Sequence, residues 1–132
     1  MVIQTGFREE MLAHARREFP NEACGLIATL DGRAMAIYPI RNAEASPVAY
    51  SMDSQNQLRA MLEIEDRGWE LGGIYHSHTR TRAYPSRTDI ARAFYPETTY
   101  IIVSLADFDD PEIRGFSIQG EEVREVQLTV AG

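Results

Sequence analysis

A chain of 132 residues, 44% apolar and 25% charged, is the size of one ordinary domain, large enough to bury a core without disulfide or metal staples. Its one cysteine, Cys24, excludes an internal disulfide framework and fits a reducing cytoplasm, and a net charge of −7 argues against nucleic acid as a partner. No apolar run approaches the ~20 residues of a membrane span, and Met1 to Gly6 has neither the basic nor the apolar segment of a secretory signal, so a cytoplasmic protein is expected.

There is no internal repeat, low-complexity tract or linker, and one domain over 1–132 is expected. Residues 5–18 read as a helix: Phe7, Met11 and Ala15 recur every fourth residue with Leu12 beside them, while Glu, Arg and His fill the other face, His14 among them as a solvated residue. Pro20 ends it. Cys24 to Leu30 is a short apolar strand, Asp31-Gly32 a hairpin turn, and Arg33 to Ile40 the returning strand. Arg41 to Ser46 reads as loop and Val48 to Met52 as a short strand. Asp53 or Ser54 caps a second helix whose stripe is Leu58, Met61, Leu62 and Glu65, with Gly68 as its stop signal. Trp69 to Tyr75 is a buried strand that runs into His76. After loop 79–85 a third helix is expected from Ser86 to about Phe94. Thr98 to Leu105 is the clearest strand, Asp107 to Pro111 a turn, and 112–118 with 122–130 a closing hairpin. This order implies an α+β, three-layer α/β/α domain around a mixed central sheet.

The chemistry concentrates between Tyr75 and Asp89, Y-H-S-H-T-R-T-R-A-Y-P-S-R-T-D. On extended backbone His76 and His78 project to one side, since side chains alternate with period two, and Ser77 points elsewhere. A bare H-x-H also describes two surface histidines at a strand end. Asp89 adds a third donor, and two imidazoles with a carboxylate suit a borderline-soft divalent ion that keeps its fourth position open. Zinc in such a site lowers the pKa of water from about 15.7 to about 7. Ser86 and Asp89 also fit a capping box at a helix start, which is compatible with facing a metal.

A peptidase needs a base as well. Glu22, in N-E-A-C-G, stands at the lip of the first long strand and is the candidate; the plainer reading is an exposed glutamate between helix and strand. Cys24 could share its face, but a nucleophilic thiol lacks a partner and a buried structural thiol is expected. Arg80 and Arg82, beside Tyr84, are either a solvated loop or a grip on a substrate carboxylate or an acidic partner face.

Taken together, Glu22, His76-Ser77-His78, seven residues, Ser86, two residues and Asp89 resemble the JAMM (MPN+) metallopeptidases, a family similar in fold to the cytidine deaminases. The deaminases' H-x-E and P-C-x-x-C are absent, which disfavours base deamination. P-N-E-A-C-G-L and R-N-A-E-x-S-P-x-x-Y (Arg41 to Tyr50) look most like the small bacterial Mec-type subgroup, which acts on ubiquitin-like sulfur carrier proteins. The resemblance implies one Zn2+ per chain on His76, His78 and Asp89, with Glu22 as general base and Ser86 as oxyanion donor. Ser77 belongs to the motif without an assigned role. It further implies removal of cysteine from a carrier's Gly-Gly tail. The alternatives are carrier-tail trimming in siderophore sulfur metabolism, an isopeptidase acting on lysine-linked conjugates, and a metal-free MPN scaffold. Such a tail would add to a sheet edge, supplied by the strand before His76 or a neighbouring loop. A homodimer stays open.

Overall fold

The structure, a computed structural model, describes residues 1–132. Its elements in chain order are β1 (Val2–Gln4), α1 (Thr5–Glu18), β2 (Cys24–Leu30), β3 (Arg33–Ile40), α2 (Ser54–Asp66), β4 (Glu70–His78), α3 (Arg87–Ala91), β5 (Thr99–Ser104), β6 (Glu112–Gln119), β7 (Glu122–Val126) and β8 (Thr129–Ala131). All eight strands join one mixed sheet in the order β7-β6-β5-β4-β2-β3-β1-β8.

The β2–β3 hairpin forms where the turn chemistry places it. Asp31 and Gly32 have φ of 51° and 77°, left-handed values that a two-residue hairpin turn requires and that Asp and Gly tolerate best. β4 then lies antiparallel to β2 and parallel to β5, with Cys24 opposite His76 and His76 opposite Ile102. The two histidines therefore leave the C-terminal end of a central strand that is paired on both sides. The strand before His76 has no free edge, contrary to the expectation that it could receive an extended tail, and only the neighbouring loops keep that option.

Alternation along the strands divides the core between two faces. Ile3, Ile27, Tyr75, Ile101 and Val103 pack with Met11, Leu12 and Ala15 of α1. Leu26, Ile74, Tyr100, Ile102, Phe116 and Ile118 form the other cluster with Ala60 of α2. The sheet curls round α1, which touches β1, β3, β5 and β8. Helices on both faces of a mixed sheet give the expected α+β, layered class.

Several local expectations are corrected. β1 was not anticipated, because three residues carry no periodic signal; it pairs in parallel with both β3 and β8. Segment 122–130 is not one strand: β7 completes the hairpin with β6, and the chain then crosses to pair β8 with β1. Val48 to Met52 is not a strand, since its one ladder contact is a bridge from Met52 to Asn42. α2 buries Ala60 and Ile64 while Leu58 and Leu62 stay exposed, so its inward face is turned away from the largest apolar residues. α3 ends at Ala91, short of the expected Phe94, which is exposed.

Candidate metal centre

The site is assembled where loop 41–53, the end of β4 and the start of α3 converge on the N-terminal end of β2. β4 projects His76 and His78 with 1% and 4% of their surface exposed, deeper than any pair of surface histidines. α3 supplies Asp89. Ser86 Oγ accepts from the Asp89 backbone N–H at 3.0 Å, and Asp89 Oδ2 accepts from the Ser86 N–H at 2.9 Å, so both halves of the capping box are made. The cap uses Ser86 as an acceptor and leaves its O–H free to donate elsewhere.

The three expected donors meet. His76 Nε2 and His78 Nε2 are 3.2 Å apart, and Asp89 Oδ2 is 3.1 Å from the first and 2.9 Å from the second. His78 Nδ1 lies 2.9 Å from the carbonyl of Arg82, which can only accept, so Nδ1 carries the proton and Nε2 faces Asp89. Three electron-rich atoms this close repel one another unless a proton or a metal ion sits among them. A carbonyl partner on the distal imidazole nitrogen is also the usual way a metal-binding histidine is oriented. The donor set and its orientation thus fit a divalent metal ion. Burial pushes the Asp89 carboxyl upward, but hydrogen bonds from His76 and His78 outweigh this and hold it well below the ordinary carboxylate range. Burial likewise opposes charge on His78, and its bonds to Asp89 and the Arg82 carbonyl more than compensate, raising its pKa.

Glu22 is buried, 4% exposed, which overturns the plainer reading of a solvated glutamate. Its backbone is fixed on both sides. Glu22 N–H donates to the Ser46 carbonyl at 2.8 Å, and Asn42 Nδ2 donates to the Glu22 carbonyl at 3.0 Å. Next to it, the Ala23 N–H donates to Ser77 Oγ at 2.8 Å and the Ser77 N–H to the Ala23 carbonyl at 3.0 Å. Ser77 does point away from the two imidazoles, and its hydroxyl ties the glutamate's segment to the metal strand. The carboxyl oxygen Oε1 of Glu22 is buried without a hydrogen-bond partner in the protein. Burial raises its pKa to about 8, against a smaller opposing pull from His78. A carboxyl held near neutrality can take and return a proton at physiological pH.

Cys24 is buried, its Sγ near the Ile40 carbonyl, and burial pushes its thiol up to about 12; it is a structural residue, as expected. Arg82 lies over the Tyr84 ring, 4.9 Å from its centroid, so its side chain packs locally while its carbonyl serves His78. Arg80 is exposed beside the cleft that Glu22, His78 and Ser86 line. His14 is not solvated. It is 3% exposed, and its Nδ1 is hydrogen-bonded with the Tyr75 hydroxyl at 2.7 Å, because that face of α1 lies over β4.

Two residues of the site were not singled out from the sequence. Asn42 holds loop 41–53 by donating to the Glu22 and Ala49 carbonyls and accepting from the Glu44 and Ser51 N–H groups. Tyr50 stacks on His76, centroids 4.7 Å apart. Both lie in the R-N-A-E-x-S-P-x-x-Y stretch, which was the available signal. Gly25 belongs to the same frame: a Cβ there would lie 2.3 Å from the Tyr75 ring, which occupies that space on its way to His14.

A buried, unpartnered carboxyl oxygen near three converging donor atoms is an arrangement suited to metal-dependent hydrolysis. The chain belongs to the family described as prokaryotic homologs of the JAB domain, whose pattern matches residues 5–119. A CysO-cysteine peptidase of Mycobacterium tuberculosis is 42% identical over 132 residues, covering 98% of this chain and 90% of its own. A probable TtuB-protein conjugate cleaving protease of Thermus thermophilus is 36% identical over 132 residues, covering 97% and 83%. Among solved structures, protein DSY2949 of Desulfitobacterium hafniense superposes with a TM-score of 0.89 at 39% identity, over 99% of this chain and 93% of that one. The JAB1/MPN domain protein AF2198 of Archaeoglobus fulgidus superposes at 0.67 over 100% of both chains; at 19% identity it shares the fold. The chain is therefore a JAMM-family hydrolase with the JAB1/MPN fold.

Proposed function

We propose that the protein is a cytoplasmic zinc peptidase that hydrolyses the bond after the C-terminal Gly-Gly of a ubiquitin-like sulfur carrier protein and releases a terminal cysteine. The observation that carries this reading is that buried Glu22 and the Ser86 hydroxyl line the same cleft as the ligand His78. The 42% identical relative that bears the name CysO-cysteine peptidase supports the substrate.

His76, His78 and Asp89 would hold the ion, and two imidazoles with one carboxylate match zinc's preference for nitrogen and oxygen donors with one position left open. Zinc, when bound, supplies a Lewis acid and water that is nucleophilic at neutral pH. Glu22 takes a proton from the attacking water at its unpartnered carboxyl oxygen. It then gives that proton to the nitrogen of the departing residue as the C–N bond breaks. Ser86 Oγ–H donates to the carbonyl oxygen as negative charge builds there, so its contribution falls in the transition state. The Gly-Gly tail enters extended, and with β4 enclosed by two strands it is the loops around the cleft, rather than β4, that are left to receive it.

Incubation of the zinc-loaded protein with a carrier–cysteine adduct is expected to shorten the adduct by one cysteine residue in its mass spectrum. An unchanged mass would sink the reading. The Thermus relative's name favours a second one, cleavage of carrier–protein conjugates. Equal turnover of a lysine-linked conjugate and the cysteine-tailed carrier would support it.

A further inference from the structure

Any exopeptidase faces an electrostatic difficulty at this site. The departing residue carries a free α-carboxylate whose carbon is two bonds from the leaving nitrogen, and Glu22 must reach that nitrogen. The carboxylate is thus brought close to a second acid, with Asp89 nearby, in a chain that already carries a net charge of −7. With a divalent ion held as proposed, its two positive charges offset Asp89 and Glu22, and the arriving carboxylate still needs a cation of its own beside it.

The cleft contains one. Glu22, His78 and Ser86 line a space of about 290 Å³ together with Arg80 and the exposed Val48. Other arginines of the molecule are already spent on carboxylates: Arg41 on Asp53, Arg92 on Glu44 and Arg114 on Glu125. Arg82 is held on Tyr84 and does not line this cleft. Arg80 has no acidic partner. Its side chain is exposed, yet its backbone is fixed from both neighbours. Thr79 Oγ1 donates to the Pro47 carbonyl at 3.0 Å, and Ser104 Oγ donates to the Thr81 carbonyl at 2.6 Å. The first bond also ties together the two lips of the cleft.

We propose that Arg80 binds the free α-carboxylate of the residue being released, and so selects a C-terminally tailed carrier over other amide bonds. This rests on the peptidase reading above. A lysine isopeptide places a methylene chain on the leaving nitrogen, and an internal peptide bond places a neutral amide where the carboxylate would be. Neither satisfies a guanidinium, which prefers a planar two-oxygen partner.

The test compares two carrier adducts, one ending in cysteine with a free carboxylate and one in cysteine amide. For the wild-type protein the ratio of kcat/KM, acid over amide, is expected to be about 10 to 100, the worth of a charge-assisted hydrogen bond. Arg80→Gln should bring the ratio close to one and Arg80→Lys should keep part of it, with zinc content equal to wild type in both. A merely structural role would slow both substrates alike. A wild-type ratio near one, or an Arg80→Gln variant that keeps the wild-type ratio, would overturn the assignment while leaving the peptidase reading intact. Failure of the zinc-loaded protein to cleave either adduct overturns both.

Discussion

Replacing Ser77 with alanine isolates how the base is positioned. The substitution removes the acceptor of the Ala23 N–H, a bond of 2.8 Å at a residue 1% exposed, between two residues with no route to water. An abandoned buried donor costs ~1–3 kcal/mol. At this chain length 1 kcal/mol corresponds to roughly 4 °C in Tm, so a fall of ~4–12 °C is expected. The ladder bond from the Ser77 N–H to the Ala23 carbonyl remains, so β4 and the imidazoles keep their places. Zinc should stay bound, while kcat falls more than KM changes, because the Glu22 peptide has lost one of its ties. Thermal melting, elemental analysis and steady-state turnover of a carrier–cysteine adduct together check this. A Tm within 1–2 °C of wild type, or loss of metal with the serine, would refute the reasoning.

Gly25→Ala would drive a Cβ into the Tyr75 ring and break the Tyr75–His14 contact; overpacking of this kind costs ~1–3 kcal/mol, measurable as a lower urea midpoint. His14 gives a pH dependence. Burial lowers its pKa below 6.5 in the folded protein, with Arg17 adding to the effect, so the unfolded chain takes up a proton first as the solution is acidified. Its contribution is fully present above about pH 6.5 and is lost as pH falls through the folded value. His14→Gln should therefore show a shallower fall in Tm than wild type between pH 7.5 and 5, and parallel curves would contradict the assignment.

The parts of the fold legible in the sequence were those set by local chemistry. Asp31-Gly32 declared its hairpin, the spacing of Met11 and Ala15 declared the inward face of α1, and T-Y-I-I-V-S declared β5. β1 and β8 were illegible because each is three residues long and exists by pairing ends of the chain more than 120 residues apart. Loop 41–53 looks partly like strand in the sequence because its order comes from the side chain of Asn42, which bonds four backbone groups without a ladder. His14 looks solvated in the sequence because its partner, Tyr75, lies 61 residues away.

At the site, residue types and spacing point to His76, His78 and Asp89, whose donor atoms do converge, and to Glu22 and Ser86, which line one cleft with His78, since motif geometry is local to β4 and α3 and Glu22 sits at a strand lip. The supports were not visible. Ser77 and Asn42 act through hydrogen bonds to the Glu22–Ala23 segment, across separations of 54 and 20 residues, the first created by the β2–β4 register and the second by the β2–β3 hairpin that brings Asn42 beside Glu22. Tyr50 stacks on His76 because loop 41–53 folds back over the end of β4.

The central claim is a division of labour, with three residues holding the metal and a fourth moving the proton. Zinc content and adduct turnover measured together on purified Glu22→Ala test it most directly. The account predicts one zinc per chain, as in wild type, with turnover abolished. Loss of zinc in that variant, or turnover retained with zinc bound, would contradict it.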